Sequence, residues 1–300
     1  MEKIGVIGLG NIAQKAYLPV MASLQDQYEW HLATRNIEKG QKLATKYGFS
    51  HLHQTLDQLI AEKPLAVFVH TPTSTHASII KQLLNAGINV YVDKPVSEDL
   101  QVVEELYKLA AANNLMLTCG FNRRFAPFNQ ELKQIADKRL ITSEKIRENS
   151  PQPVKFAIFD LMIHSVDTAL YLMDEPIQNV TNHLVTSEGN LEQGYITLSS
   201  EHEQVQITTS LVGGINLEKS TVQGSTERDE VTNLSLLNKY QTGVNIQESR
   251  PDWERNLITR GFEPLIIEFL NAITHDGTNP VSPDSAILSH KVCTDLLQTL

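Results

Sequence analysis

Two cysteines in 300 residues, Cys119 and Cys293, stand far apart with no Cys-x-x-Cys partner. Their scarcity excludes a disulfide framework and a thiol-based zinc or redox centre, and it fits a cytoplasmic location. Long apolar runs are missing as well. Nowhere do about 18 uncharged apolar residues follow one another, the length a spanning helix needs, and Met1 to Gly8 hold no export-type apolar core. Basic charge is scarce: 25 Lys and Arg against 35 Asp and Glu leave a formal charge of -10, and no basic block is long enough to form a patch alone. Nucleic acid and membrane are therefore not expected partners. No internal repeat or low-complexity linker interrupts the chain. What remains, 41% apolar and 20% charged, describes a globular protein with enough residues for two domains and small-molecule chemistry.

The N-terminal region alternates strands and helices. Lys3 to Ile7 is a mostly β-branched run that halts at Gly8-Leu9-Gly10-Asn11-Ile12-Ala13, after which Ile12, Ala16, Val20, Met21 and Leu24 recur at helical spacing. Pro19 is expected to kink or restart that helix. In a strand, tight loop and helix of this kind the first two glycines let the backbone turn and approach a pyrophosphate, and the helix start supplies free N–H groups. The spacing alone is a weak signal; its place directly after an N-terminal strand strengthens it. For Gly10 the competing explanation is a turn that serves close helix packing. A second strand, Tyr28 to Ala33, ends at Thr34-Arg35-Asn36, with no acid where one would bind adenine ribose hydroxyls. Thr34 and Arg35 suit a 2′-phosphate instead, which favours NADP over NAD; otherwise Arg35 is a solvated loop residue.

Strands at Leu65 to His70, Asn89 to Val92 and Leu115 to Cys119 follow, separated by helices at Glu38 to Tyr47, Leu56 to Ala61, Ser78 to Ala86 and Ser97 to Ala112. The order predicts a doubly wound parallel sheet. Thr71-Pro72 and His76 open a helix at the sheet edge and are candidates for the cofactor groove, whereas His70 is read as a packed residue and His51 and His53 as surface residues. Asp93-Lys94-Pro95 ends the Asn89 strand, and Pro95 keeps Lys94 out of the next helix. A charge held at the carboxyl edge of a buried strand implies use, because open parallel sheets bind ligands there.

Beyond Gly120-Phe121-Asn122-Arg123-Arg124-Phe125 the rhythm changes. The expected division is a cofactor domain over 1–120 and a second α/β domain over 121–300. A helix is expected over Pro127 to Ala136 and a strand over Ile141 to Glu148. Phe156 to Met173 is apolar except at Asp160, His164, Asp167 and Thr168, and the first three share one helical face. Ionisable groups on a buried stripe need partners or a task. A mutual Asp/His network and a metal site are the alternatives, the metal last because no second His-rich or acidic element with ligand spacing is visible. Runs at Gly194 to Ser200, Gln204 to Val212, Lys219 to Gly224, Glu230 to Leu236 and Val244 to Gln247 predict a large, mostly antiparallel sheet. Helices over Arg260 to Ile273 and Ser282 to Leu300 close the chain. A sheet with one face open predicts a homodimer or homotetramer.

Taken together, Gly-Leu-Gly-Asn-Ile-Ala from Gly8, Thr-Pro-Thr-Ser-Thr-His from Thr71, Asp-Lys-Pro from Asp93, Gly-Phe-Asn-Arg-Arg-Phe from Gly120 and Asp-Leu-Met-Ile-His from Asp160 resemble the Gfo/Idh/MocA oxidoreductases over essentially the whole chain. The wording is most similar to poorly characterised bacterial members. The resemblance implies a Rossmann domain followed by an α/β domain with a largely antiparallel sheet, NAD or NADP as cofactor, and a sugar or polyol as substrate. Lys94 then falls in the family's Glu-Lys-Pro motif, with Asp93 a methylene shorter than its glutamate, and Asp160 and His164 in the Asp-x-x-x-His motif of the catalytic site. The implied cofactor contacts are Gly8, Gly10, Asn11, Ile12, Thr34, Arg35, Thr71, Pro72, His76, Asp93, Lys94, Asn122 and Arg123. His164 is expected to act as general base, Asp160 to orient it, and Lys94 to bind the same hydroxyl, although the sequence does not fix which of Lys94 and His164 takes the proton. Arg123 and Arg124 reach either cofactor or an anionic substrate group, or form a surface salt bridge. Two rivals share these residues: a nicotinamide-binding sensor without turnover, and a metal-dependent lyase or hydrolase using Asp160, His164 and Asp167.

Overall fold

Six short strands build the first sheet: β1 (Glu2–Ile7), β2 (Tyr28–Ala33), β3 (His51–His53), β4 (Ala66–Val69), β5 (Asn89–Val92) and β6 (Leu117–Cys119). Every pairing is parallel, in the order β3-β2-β1-β4-β5-β6. The order reverses between β1 and β4, so the helices leaving these strands cover opposite faces and a crevice opens past their carboxyl ends. The computed structural model describes all residues 1–300. No helix in it is long and apolar enough to cross a membrane.

Local signals account for the helix ends. Asn36 caps Ile37–Tyr47 by accepting the Lys39 N–H at 2.9 Å, and Gly48 ends it in the left-handed region. Thr55 and Gln58 form a reciprocal capping box at Leu56–Ala61. The first helix begins as a π turn, Ala13–Tyr17, and restarts at Leu18–Ala22 with Pro19 in its first turn. Pro19 restarts the helix, as expected, because proline needs no intrahelical N–H partner there.

Two compact units divide the chain, Met1–Gly120 with Phe262–Asp284, and Phe121–Gly261 with Ser285–Leu300. The first cut follows Gly120, and the segment 262–284, within the range expected for the second domain, groups with the first unit. Aromatic contacts explain this. Phe262 meets Tyr17 edge-on with centroids 5.6 Å apart, and Phe269 packs against Phe68 and Tyr91 at 5.4 and 5.5 Å. Asn279 then accepts the Thr118 hydroxyl at 2.9 Å and donates to the Leu117 carbonyl at 2.8 Å.

His51 is exposed, as expected, whereas His53 is half-buried. With His31 of β2 they form a parallel stack, ring centroids 4.3 and 5.2 Å from His31. His31 meets His53 through Nδ1 at 3.0 Å and Glu29 through Nε2 at 2.7 Å, while Glu62 takes Lys3 at 2.7 Å. Sequence inspection missed this His- and Glu-rich group because three separated elements assemble it.

The second unit carries a nine-stranded sheet: β7 (Leu140–Glu148), β8 (Gln152–Pro153), β9 (Asn179–Ser187), β10 (Asn190–Ser199), β11 (Gln204–Gly213), β12 (Leu217–Gln223), β13 (Glu227–Thr232), β14 (Leu236–Gln241) and β15 (Val244–Ser249). All its pairings are antiparallel except β7 with β11. β9 was not read as a separate strand, since its polar, largely exposed residues lack an apolar stripe. The expected strand Glu230 to Leu236 runs from the end of β13 into the start of β14, with a turn at residues 233–235 between them. Helix Ile163–Leu172 covers β7 and β11 and supplies the core with Val166, Ala169 and Leu172.

One buried carboxylate works against this sheet. Asp229 of β13 is 4% exposed, its Oδ1 has no hydrogen-bond partner, and burial together with the Glu227 charge raises its pKa to about 6. A raised carboxyl value means that ionisation costs the folded state above that pH, a cost that fades as pH falls toward the ordinary 3.8. Asp229→Asn is therefore expected to stabilise the protein at pH 8, with the advantage shrinking between about pH 6 and pH 4. Thermal melts of both proteins across that range check it; an advantage independent of pH is the contrary result.

Candidate functional site

The β1 turn sets the geometry of the crevice. Gly8 has φ +93°, and a Cβ there would lie 2.6 Å from the His70 carbonyl carbon and the Thr71 nitrogen. Glycine is thus required where β1 passes the end of β4. Gly10 differs: a Cβ would meet nothing within 4 Å. Its bareness serves no helix packing, which removes the competing explanation, and leaves the loop accessible from the cleft.

That cleft, about 1230 Å³, is lined by Gly8, Leu9 and Gly10, by Thr34, Arg35 and Lys39 past β2, and by Thr71, Pro72 and Ser74 past β4. Its shape fits a dinucleotide: a glycine loop ahead of a helix start for the pyrophosphate, and Thr34 and Arg35 at the far end without an acid directly after β2. Asp57 is the acidic residue on the wall. Asn11 and Ile12 begin the helix and do not line the cleft. Gln14 secures the loop through 3.0 and 3.1 Å bonds from Nε2 to the carbonyls of Leu9 and Gly10.

His76 departs from expectation. It is 2% exposed, and its ring nitrogens lie 2.9 Å from the Pro95 carbonyl and 2.8 Å from that of Thr71. It braces the two loops that follow β4 and β5 and does not line the cofactor groove. His70 is packed, as read: its ring stacks on Tyr17 with centroids 3.8 Å apart, and burial lowers its pKa to about 3. The Tyr17 phenol in turn donates to Asp93 Oδ1 at 2.7 Å. Asp93 thereby anchors the segment that carries Lys94, which follows β5 at the same carboxyl edge and is half-buried. The shorter acid has a partner of fitting length.

The second unit gathers a different set. Asp160 lies in a π turn, Ile158–Met162, and His164 in the helix Ile163–Leu172 that continues it. π turns inside helices recur at functional sites because they redirect side chains. Arg123 Nη1 approaches His164 Nδ1 at 2.8 Å. A guanidinium only donates, so Nδ1 accepts and the neutral ring carries its hydrogen on Nε2. Arg123 is thus the partner at Nδ1, a residue not expected to orient His164.

Arg123 is itself fixed by Glu218 of β12, which receives Nε in a very short contact and Nη2 at 3.0 Å. Lys145 of β7 completes the network at 2.8 Å from the same carboxylate. Burial acts against ionised Glu218, yet Arg123 and Lys145 override it and hold the carboxyl well below its usual range. Burial and the Arg123 charge push Lys145 down to about 7. Asn122 donates to the Arg260 carbonyl at 2.7 Å. Neither Asn122 nor Arg123 lines the cofactor cleft, a correction to the expected contacts, because their side chains are engaged in the second unit.

Asp167 and Arg124 form the other buried pair. Arg124 Nε and Nη2 lie 3.0 and 2.5 Å from the two Asp167 oxygens, and Ser289 donates to Oδ1 at 2.8 Å. Both arginines are 6% exposed, so neither makes a surface salt bridge. Asp167 binds helix Ile163–Leu172 to helix Pro283–Leu297, which takes it out of the metal set proposed with Asp160 and His164. Strand parity would have exposed Lys145: in β7 the buried positions are Ile141, Ser143 and Lys145, and a lysine on that face needs a reason.

Two family models match. One, an oxidoreductase family with an NAD-binding Rossmann fold, covers residues 2–121, and the other, a YceM-like C-terminal domain, covers residues 126–242. YceM of Salmonella typhimurium, which carries an oxidoreductase name, is 31% identical over 97% of this chain and 95% of its own. UDP-N-acetylglucosamine 3-dehydrogenase of Acidithiobacillus ferrooxidans is 29% identical over 66% of this chain and 64% of its own. Inositol dehydrogenases are also among the relatives. Among solved structures, the dehydrogenase MviM of Clostridium difficile superposes with a TM-score of 0.95 at 30% identity, over 100% of this chain and 99% of that one.

Arg124→Met leaves Asp167 buried and ionised without its main partner. The expected loss is about 3–5 kcal/mol of unfolding free energy, measured by urea denaturation; a loss below about 1 kcal/mol would show the pair to be dispensable.

Proposed function

Because the chain belongs to the Gfo/Idh/MocA oxidoreductases, we propose that it transfers a hydride reversibly between NADP and a hydroxyl-bearing carbon of a sugar-like or polyol substrate. The observation that carries this reading is the bare Gly10 loop over a cleft at the carboxyl edge of the first sheet, with Lys94 held at the end of the adjoining β5. Bound nicotinamide supplies or accepts the hydride. The protein has to move the proton.

Lys94 is the proton carrier in this reading. In reduction its ammonium gives a proton to the carbonyl oxygen as that oxygen gains negative charge; in oxidation neutral Lys94 takes the proton back. His164 is assigned a different part from the one expected. With Nδ1 accepting from Arg123, the hydrogen of the neutral ring is on Nε2; donation to the substrate oxygen is the part assigned to it here, and a ring that already carries that hydrogen cannot also accept the proton there. Asp160 keeps the positioning role that the family motif implies, and Asp93 holds the Lys94 segment through Tyr17. Thr34 and Arg35 favour the 2′-phosphate of NADP, since a fork of N–H donors matches phosphate oxygens. The open face of the second sheet, with Tyr195, Val212 and Tyr240 exposed, supports a homodimer or homotetramer.

Lys94→Met is expected to lower kcat by about 10²–10⁴ while NADPH binding persists, and His164→Asn to lower kcat less. Unchanged turnover in both variants on a polyol and sugar panel rejects the assignment. Arg35→Ala is expected to weaken NADPH binding about tenfold or more and to spare NADH. Fluorescence titration with both cofactors decides this, and equal effects on the two would withdraw the preference for NADP.

A further inference from the structure

A second, smaller cavity lies in the second unit, about 190 Å³, and its wall is unbalanced in charge. Lys145, Arg147 and Arg260 line it, and Glu218 is the acid among them. That acid is already shared: Arg123 holds it through two nitrogens and Lys145 through a third contact. The guanidinium groups of Arg147 and Arg260 form no hydrogen bond or ion pair with any protein group. Arg260 is only partly exposed, and burial together with the positive charge of Arg123 works against its ionised form. At the rim stand Asn216 and Asn233, whose side-chain oxygens accept from the backbone N–H of Glu148 and Glu218, at 3.5 and 2.9 Å. Their amide N–H groups remain as donors facing outward from those bonds.

A cluster of partly buried cations with a shared single counterion is electrostatically costly, and the cost is relieved when an anion enters. Arginine in particular presents paired N–H donors to carboxylate and phosphate. The position has meaning as well. Glu218 lines the cavity and holds Arg123, and Arg123 holds His164, so the cavity is linked to the proposed catalytic histidine by two hydrogen-bonded contacts. At about 30 Å³ per water, the volume accommodates about six waters, enough for a carboxylate or phosphate with a few carbon atoms and too little for a nucleoside diphosphate.

We propose that this cavity binds the anionic group of the substrate, and that the substrate is a hydroxylated small molecule bearing a carboxylate or phosphate, a sugar acid or sugar phosphate rather than a neutral polyol. The proposal rests on the dehydrogenase reading for the word substrate, but the anion site stands on its own charges. Arg147 and Arg260 grip the anion, and Lys145, held 2.8 Å from Glu218, adds N–H donors to the same wall. Because the Glu218 carboxylate fixes Arg123, an anion at this end and His164 at the other would span one substrate.

The test uses the full chain with NADPH bound. Isothermal titration with inorganic phosphate, glucuronate, glucose 6-phosphate and uncharged glucose is expected to show binding of the anions and none of glucose. Glucuronate against glucose 6-phosphate distinguishes carboxylate from phosphate as the group preferred. Arg147→Met and Arg260→Met, each checked for folding by NADPH fluorescence, are expected to weaken anion binding about tenfold to a hundredfold. Absence of anion binding, or binding undiminished in both variants, overturns the proposal. Hydride transfer, followed by NADPH absorbance on the same compounds and on neutral polyols, separates the two readings. Anion binding that depends on Arg147 and Arg260 without turnover keeps the site and counts against the dehydrogenase, whereas turnover of neutral polyols without anion binding does the reverse.

Discussion

The guanidinium of Arg123 is the group on which the chemistry of the second unit turns. A buried cation persists only where its donors are taken up, and Arg123 gives two of its nitrogens to Glu218 and a third to His164. Because arginine cannot accept, it settles which imidazole nitrogen carries the hydrogen. Because Glu218 comes from β12 and Lys145 from β7, the orientation of the histidine is inherited from the register of two neighbouring strands, in which Glu218 stands opposite Lys145. The next residue in the same 3-10 turn, Arg124, does the corresponding work between helices through Asp167 and Ser289. Two consecutive arginines thus tie the sheet and the helices of this unit to one short turn.

The first unit solves its problem with main chain. Gly8 permits the close pass of β1 by β4, Gly10 leaves its side of the loop bare, and the cleft wall mixes apolar side chains such as Ile37, Leu56 and Ile79 with hydroxyl groups of Thr34, Thr71 and Ser74. Such a surface suits a ligand that is large and chemically constant. The buried pairs of Arg123 with Glu218 and Arg124 with Asp167 lie in the second unit, where each ion is costly to bury and is retained only with partners.

Much of this was legible in the residues. The β1 run, the glycine turn and the Pro19 restart follow from local rules, and Lys94 was visible because a proline pins it to a strand end. Asp160 and His164 stood out against an apolar segment. What failed was partner assignment. Nothing adjacent to His164 in sequence points to Arg123, 41 residues away, and Asp167 looked like part of a reactive stripe until Arg124 and Ser289 appeared on its two oxygens. His76 misled because a helix start beside a groove suits both a ligand contact and a brace; only its two carbonyl partners decide between them. Lys145, Glu218 and Arg260 went unnoticed for a related reason. Their significance lies in long-range pairing, and each alone is an ordinary charged residue in a strand or loop.

The placement of residues 262–284 with the first unit bears on how the chain acquires its structure. A ribosome releases the six strands of the first sheet long before Phe262 and Phe269, whose rings cover Tyr17, Phe68 and Tyr91. Until that late segment emerges, the nascent cofactor unit exposes an aromatic surface and cannot close its core. The strands β7 to β15 of the second unit, residues 140–249, are therefore released before the segment that completes the core of their predecessor.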